Sequence, residues 1–187
     1  MKKYNYYLLA LLSLIVSFIF DRQIILFITS LRINILNTIM IAINYITTEI
    51  ALFIAITLIL LLAKKYKEIP VAWLALIIPL AITFLLKLIT HRLRPFEALQ
   101  IEQLVNVTNS SFPSGHATAS FAGFAILTAY IKKLKYLWLF LAILIMFSRL
   151  YLGLHYLSDV IAGSIIGYGI SSVIIASFNK YSKKKVK

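Results

Sequence analysis

The chain has 187 residues, of which 61% are hydrophobic and 13% are charged, and its mean hydropathy is +0.93. A soluble domain of this length has about 45–50% apolar and about 25% charged residues. The composition therefore excludes a soluble globular protein and indicates an integral membrane protein. The chain contains no cysteine, which excludes disulfides, thiolate metal sites and a cysteine nucleophile.

The formal net charge of +13 does not indicate a nucleic-acid partner, because the basic residues form no continuous basic face. Thirteen lysines instead occupy four short tracts, each between apolar segments or at a terminus. Lysine-rich loops on one side of a membrane are typical of the positive-inside rule. The tracts fall within residues 2–3, 64–67, 132–135 and 180–187.

The apolar runs between these tracts predict six transmembrane helices in one domain, residues 1–187. The first run follows Lys2 and Lys3 and has no small-residue cleavage site, so we interpret it as a retained signal anchor rather than a cleaved signal peptide. The spans cover about residues 4–20, 49–63, 69–87, 117–131, 136–154 and 160–178.

Between the first two spans, apolar residues recur at helical spacing opposite asparagines and a threonine. This pattern predicts an amphipathic helix lying at the membrane interface. The fold class expected is therefore an all-α membrane protein, a six-helix bundle with an interfacial amphipathic helix between helices 1 and 2. The apolar residues are Leu36, Ile39, Met40 and Ile43, and the polar ones are Asn37, Asn44 and Thr48.

The last span contains Gly163 and Gly167, which are four residues apart. Small residues at this spacing let helices approach closely. We favour packing inside the bundle over a dimer seam, so the fold does not require an oligomer.

Three polar clusters interrupt the apolar pattern, within residues 87–95, 113–116 and 148–159. Ionisable residues at membrane segments cost free energy and are candidates for function. Six spans put both termini on the cytoplasmic side by the positive-inside rule. The clusters end the third and fifth helices and begin the fourth and sixth, so they share the extracytoplasmic face.

The residue types in these clusters suit phosphate chemistry. Lys87, Arg94 and Arg149 supply three fixed cations, and arginine binds phosphate oxygens bidentately. Ser114 can cap the helix that follows it, Gly115 lets a ligand approach the backbone, and the free N–H groups there favour an anion. We therefore expect an oxyanion cradle.

Two histidines and an aspartate complete the expected chemistry. His155 and Asp159 are four residues apart, so the carboxylate can orient the imidazole and leave its other nitrogen free to attack phosphorus. His116 can then protonate the leaving oxygen. These roles need no metal, and no carboxylate cluster that could hold one is visible in the sequence.

The motifs Lys-x6-Arg-Pro, Pro-Ser-Gly-His and Ser-Arg-x5-His-x3-Asp resemble, in order and spacing, those of the type 2 phosphatidic acid phosphatase family. The resemblance implies a metal- and cofactor-independent phosphatase with His155 as nucleophile, Asp159 as its partner and His116 as acid. It also implies that phosphate is bound by Lys87, Arg94, Ser114, Gly115 and Arg149. Arg92 fits an Arg-x-Arg-Pro variant of the first motif and is a further candidate.

Each residue taken alone has a structural alternative. Arg94 or Arg149 could be an interfacial anchor, and Asp159 could cap a helix. Independent anchors have no reason to keep all three spacings, so the joint pattern favours one site. His91 fits no motif position, and we interpret it as an interfacial residue.

The resulting hypothesis is a multi-pass cell-membrane phosphatase acting on a lipid phosphate or diphosphate, with the lipid substrate and the bilayer as its partners. Bacterial undecaprenyl diphosphatases of this family often have aspartate where Gly115 stands, which favours a broader lipid phosphatase. A lipid phosphotransferase of the same fold and, more distantly, an anion transporter are the alternatives.

Overall fold

The computed structural model describes the backbone of residues 2–185 and the side chains of residues 8–181, and these ranges contain helices and no β-strand. The side chains of two expected lysine tracts, residues 2–3 and 183–187, lie outside the described residues. The helices are α1 (Lys2–Ser30), α2 (Asn34–Ile46), α3 (Glu49–Leu62), α4 (Ile69–Thr90), α5 (Pro95–Ala98), α6 (Gly115–Tyr130), α7 (Lys135–Tyr151) and α8 (Leu157–Lys185).

The protein is an integral membrane protein by the length and apolar character of its helices. Among the residues that the structure describes, four helical segments are long and apolar enough to cross a bilayer, and α2 with α3 forms a fifth candidate that is bent by 69°. The predicted spans correspond to α1, α3, α4, α6, α7 and α8. However, α3 has 14 residues and α6 has 16, fewer than the roughly 20 that a full crossing needs.

The first helix is longer than its predicted span, and polar partners explain the difference. Helix α1 continues ten residues beyond Phe20, because the buried Asp21 carboxylate is paired with Arg92 and with Ser158. An ionisable residue that finds partners inside the bundle does not have to end a helix. The sequence shows the charge but not its partners.

Helices α4 and α7 end at the polar clusters, each within three residues of the predicted end of its span. Helix α4 stops at Thr90, so Arg94 does not lie on the same helix as Lys87. Arg94 has an extended backbone, as expected for a residue before proline. Helix α7 stops at Tyr151, and the turn to α8 passes through Gly153, whose φ of +68° is strained for any residue with a Cβ.

The amphipathic helix exists as α2, but its orientation differs from the simple expectation. Its polar side faces the protein: Asn44 is buried and accepts a hydrogen bond from Arg149, and Asn37 accepts one from the Tyr151 hydroxyl at 3.0 Å. Ile39 is exposed, whereas Met40 is buried. The asparagines turn inward because α7 presents polar groups that they satisfy.

Helix α6 is the centre of the bundle and packs against α3, α4, α7 and α8. Its buried residues are mainly Ala, Gly, Ser and Thr, which permit close helix approach. Gly163 and Gly167 of α8 face α6, where added Cβ atoms would meet the backbone oxygens of Ser114 and Thr118. Both glycines therefore pack inside the bundle, as the sequence predicts.

The directions of α3 and α6 show which end of the bundle carries the polar clusters and which carries two of the lysine tracts. Helices α3 and α6 both begin near the polar clusters, and each ends directly before a lysine tract, at residues 64–67 and 132–135 respectively. These two tracts consequently lie at the end of the bundle that is opposite to the polar clusters.

We expect Gly167→Ala to lower the stability of the bundle by about 1–3 kcal/mol, because the new methyl group overpacks the α6–α8 contact. This cost exceeds the gain of up to about 1 kcal/mol that Ala brings to a helix. Thermal unfolding in detergent micelles measures the change. Gly169→Ala is the matched control, since a Cβ there meets nothing within 4 Å; equal melting temperatures for the two variants would contradict the packing argument.

Candidate active site

A polar cavity of about 210 Å³ lies where the three polar clusters meet. It is lined by six of the residues that the motifs single out: Lys87, Arg94, Gly115, His116, Arg149 and His155. Residues far apart in the chain are thus brought to one place. The alternating directions of successive transmembrane helices predict this meeting. Ser114 lies beside the cavity, and its hydroxyl accepts from the Ala117 N–H at 3.4 Å and so caps α6.

The three cations of the cavity have no carboxylate partner among the described side chains, and most of their hydrogen bonds go to neutral oxygens. Arg94 donates to the Asn109 carbonyl at 2.8 Å and to the Leu154 carbonyl at 2.7 Å. Lys87 donates to the Ser110 carbonyl, and Arg149 donates to the Asn44 side chain. Within residues 8–181, no carboxylate lies within 4.0 Å of these cations, so the cavity is suited to an anion.

His155 is buried between Asp159 and Arg94. Its Nδ1 lies 3.5 Å from the Asp159 carboxylate, and its Nε2 lies 3.4 Å from Arg94 Nη1. The turn between α7 and α8 places it outside the spanning helices. Burial lowers the pKa of His155 well below its usual range, and nearby cations, with Arg94 first, lower it further. The imidazole is therefore neutral near pH 7, and Nε2 is the nitrogen turned away from the carboxylate.

Arg92 does not line the cavity. Its guanidinium bridges two carboxylates, with 2.7 Å to Asp159 Oδ1 and 2.7 Å to Asp21 Oδ2, and it lies 4.3 Å from the centre of the Tyr156 ring. Asp159 also accepts from the Tyr156 N–H at 2.8 Å. Arg92 thus contacts the partner of His155 rather than the space where a phosphate would lie. His91, which we interpret as interfacial, is exposed at the end of α4 and also lies outside the cavity.

His116 stands in the first turn of α6, and its Nδ1 lies 3.2 Å from the Glu49 carboxylate. Its Nε2 is buried and has no hydrogen-bond partner among the described residues. Glu49 occupies the first turn of α3, directly after the capping residue Thr48. A free Nε2 is the atom through which His116 can exchange a proton with a ligand.

Sequence reasoning missed several polar residues of this region. Glu49 was available as a signal, because it is a lone acid at the edge of an apolar span. Asn44 and Asn109 gave none, since an amide in a loop or on an amphipathic helix is ordinary. Within the described side chains, no group of three or more His, Asp or Glu residues is arranged to hold a metal ion.

An apolar groove of about 290 Å³ adjoins the elements of the cavity. Four helices supply residues to both: α2, α3, α6 and α7. His116 and the groove residue Ser120 are one turn apart on α6, and Arg149 and the groove residue Ile145 are one turn apart on α7. The groove therefore continues from the cavity toward the apolar middle of the bundle.

Comparisons with known proteins agree with this architecture. An undecaprenyl-diphosphatase of Sulfolobus acidocaldarius is 30% identical over 188 residues, covering 91% of this chain and 90% of the relative. A lipid A 4'-phosphatase of Bacteroides thetaiotaomicron is 38% identical over 92 residues, 44% of this chain and 40% of that protein. The crystal structure of a transmembrane PAP2-type phosphatidylglycerolphosphate phosphatase from Bacillus subtilis has the same fold, with a TM-score of 0.74, 22% identity and coverage of 91% of this chain and 94% of that chain.

The family model of the PAP2 superfamily matches residues 70–183, which include all three motifs. The relatives just described are lipid phosphatases by name, and two of them match over 91% of this chain. The chain therefore belongs to the PAP2 superfamily.

Proposed function

We propose that the protein hydrolyses a lipid phosphate or diphosphate in the polar cavity, through a phosphohistidine intermediate on His155. The observation that carries this proposal is the meeting of Lys87, Arg94 and Arg149 with two histidines around one small cavity. Three cations without carboxylate partners suit a phosphoryl group, whose transfer depends mainly on positioning and electrostatic stabilisation. The candidate substrates are a polyprenyl diphosphate, phosphatidylglycerophosphate and phosphatidic acid.

In the first step, the lone pair of His155 Nε2 attacks phosphorus while the bond to the leaving oxygen breaks. The leaving oxygen takes the proton of His116 Nε2. Asp159 accepts the Nδ1–H of His155 and stabilises the positive charge that the ring acquires. The cations and the Gly115 backbone bind the phosphoryl oxygens.

In the second step, water attacks the phosphohistidine. His116 Nε2 takes a proton from the water, its oxygen bonds to phosphorus, and the P–N bond breaks to return neutral His155. The low pKa of His155 supports this cycle, since the free enzyme presents an uncharged nucleophile. The residues alone can supply each proton, so the proposed reaction proceeds without a metal ion.

The lipid tail occupies the apolar groove in this proposal. A headgroup in the cavity and a tail in the groove lie one helical turn apart along α6 and α7. The similarity to an undecaprenyl-diphosphatase supports a long isoprenoid tail. The tail itself carries no polar group. The groove's Leu and Ile side chains therefore select between lipid substrates by the length and shape of the tail.

The proposed topology has six crossings, with α3 and α6 as short spans, both termini in the cytoplasm and the cavity at the extracytoplasmic face of the cell membrane. The lysine tracts at residues 64–67 and 132–135 support it, because they lie at the end of the bundle away from the cavity. Labelling of single cysteines, placed at Lys65 and at Glu102 in this cysteine-free chain, tests the two faces.

We expect His155→Ala to reduce phosphate release from a panel of lipid phosphates by about 10³-fold or more, because the nucleophile is lost. Wild-type activity should persist in excess chelator. His91→Ala is the matched control, since His91 is exposed and lies outside the cavity. Undiminished release by His155→Ala would rule out the proposed intermediate, and release that requires an added alcohol acceptor would indicate a phosphotransferase.

We expect Ala55→Phe to lower kcat/KM for a long-tailed lipid about tenfold and to leave a short-chain phosphate unaffected. Ala55 is exposed and lines the groove, so the new ring would displace about two methylenes at roughly 0.8 kcal/mol each. Ala81→Phe, on the exposed side of α4 and outside the groove, is the control. Equal effects on long and short substrates would place the tail elsewhere.

We expect Arg92→Ala to destabilise the fold by about 3 kcal/mol, because it leaves the buried Asp21 and Asp159 carboxylates without their shared cation. The double variant with Asp21→Asn should recover part of this loss. Thermal unfolding in detergent measures both, with the exposed Arg22→Ala as control. A double variant that is no more stable than Arg92→Ala would argue against the bridge.

A further inference from the structure

The Glu49 carboxylate is placed unusually for a cavity that suits anions. It lies on the cavity wall together with Lys87, Arg94 and Arg149, yet its closest charged contact is His116 Nδ1, at 3.2 Å. A negative charge at this wall weakens phosphate binding. Its presence there therefore indicates a separate task. The contact with the imidazole indicates what that task is.

Gly115 makes room for this contact. A Cβ added at position 115 would collide with Glu49 Oε1, and the other nearby atoms belong to the same side chain. The collision would occur next to the imidazole, because His116 is the following residue. The absence of a side chain at position 115 and the presence of a carboxylate from α3 are therefore two parts of one arrangement.

The contact also settles which nitrogen of His116 is available. Nδ1 faces Glu49, whereas Nε2 is buried and has no partner among the described residues. A carboxylate that accepts the Nδ1–H fixes the ring orientation and stabilises the charged imidazolium. Nε2–H is then the ring donor that a bound ligand could accept from.

We propose that Glu49 is the positioning residue of His116 and that it holds the imidazolium with Nε2–H ready for the leaving oxygen. This inference rests on the proposed function, in which His116 is the general acid. Glu49 itself touches neither phosphorus nor the leaving oxygen. Its carboxylate acts only through the ring that it orients.

The test compares two leaving groups. An alkyl phosphate monoester needs its leaving oxygen protonated. A phosphate monoester of a nitrophenol whose ring carries the same alkyl chain releases a stable phenolate anion instead. We expect Glu49→Ala to lower kcat for the alkyl phosphate by about 10- to 100-fold with little change in KM, and to lower it only a few-fold for the nitrophenyl ester. Glu49→Gln, whose amide oxygen can still accept the Nδ1–H, should recover part of the loss. Glu102→Gln, an exposed acid outside the cavity, is the control.

A double-mutant cycle separates positioning from a merely structural role. In a His116→Gln background, Glu49→Ala should cause no further loss, because its effect passes through the ring. Gly115→Ala should displace the carboxylate and reproduce the leaving-group dependence of Glu49→Ala. A second loss in the His116→Gln background would overturn the proposal.

Equal losses of kcat for the two substrates would also overturn it, since only an acid-dependent step distinguishes the leaving groups. These failures differ from failure of the proposed function. A wild-type protein that hydrolyses neither substrate would refute the phosphatase itself, whereas hydrolysis of both with equal sensitivity to Glu49 would refute only the positioning role.

Discussion

Three cations without carboxylate partners, with Arg94 and Arg149 buried and Lys87 partly buried, are the constraint on which the rest of the structure depends. Removing an ion from water costs several kcal/mol even after the protein relaxes. Lys87, Arg94 and Arg149 recover part of this cost from neutral oxygens supplied by α2 and by the loop before α6. Oxygen dipoles stabilise the cations but do not neutralise them, so the remaining charge is available to an anion. A carboxylate at the same distance would have satisfied the cations and removed the site.

The carboxylates near the cavity are accordingly directed to other partners. Asp21 and Asp159 share Arg92, and Glu49 faces His116. As a result, Arg92 pairs with carboxylates outside the cavity, whereas Arg94 and Arg149 line the cavity. All three arginines lie in or beside the same motifs. The aromatic ring of Tyr156 lies beside the Arg92 guanidinium and keeps it outside the cavity.

The sequence predicts the meeting of the motifs because the order of the helices and the spacing within each motif can both be read from short stretches of sequence. It does not predict which charged residue pairs with which, since such pairs join distant parts of the chain. Arg92 and Arg94 illustrate the limit: they are two residues apart and of one type, yet one contacts Asp21 on α1 and the other lines the cavity. The early end predicted for α1 has the same origin, because Asp21 interrupts an apolar run but is satisfied by residues that no local pattern identifies.

The shortness of α3 and α6 affects the surrounding lipid. At about 1.5 Å per residue, their 14 and 16 residues extend roughly 21 and 24 Å, against a hydrocarbon layer of about 30 Å. A bilayer adapts to short helices by thinning beside them. Both helices begin at the cavity. In the proposed six-span topology, a thinner bilayer on that flank of the bundle would shorten the apolar path between the lipid and the cavity, so helix length as well as side-chain chemistry would favour ligand entry there.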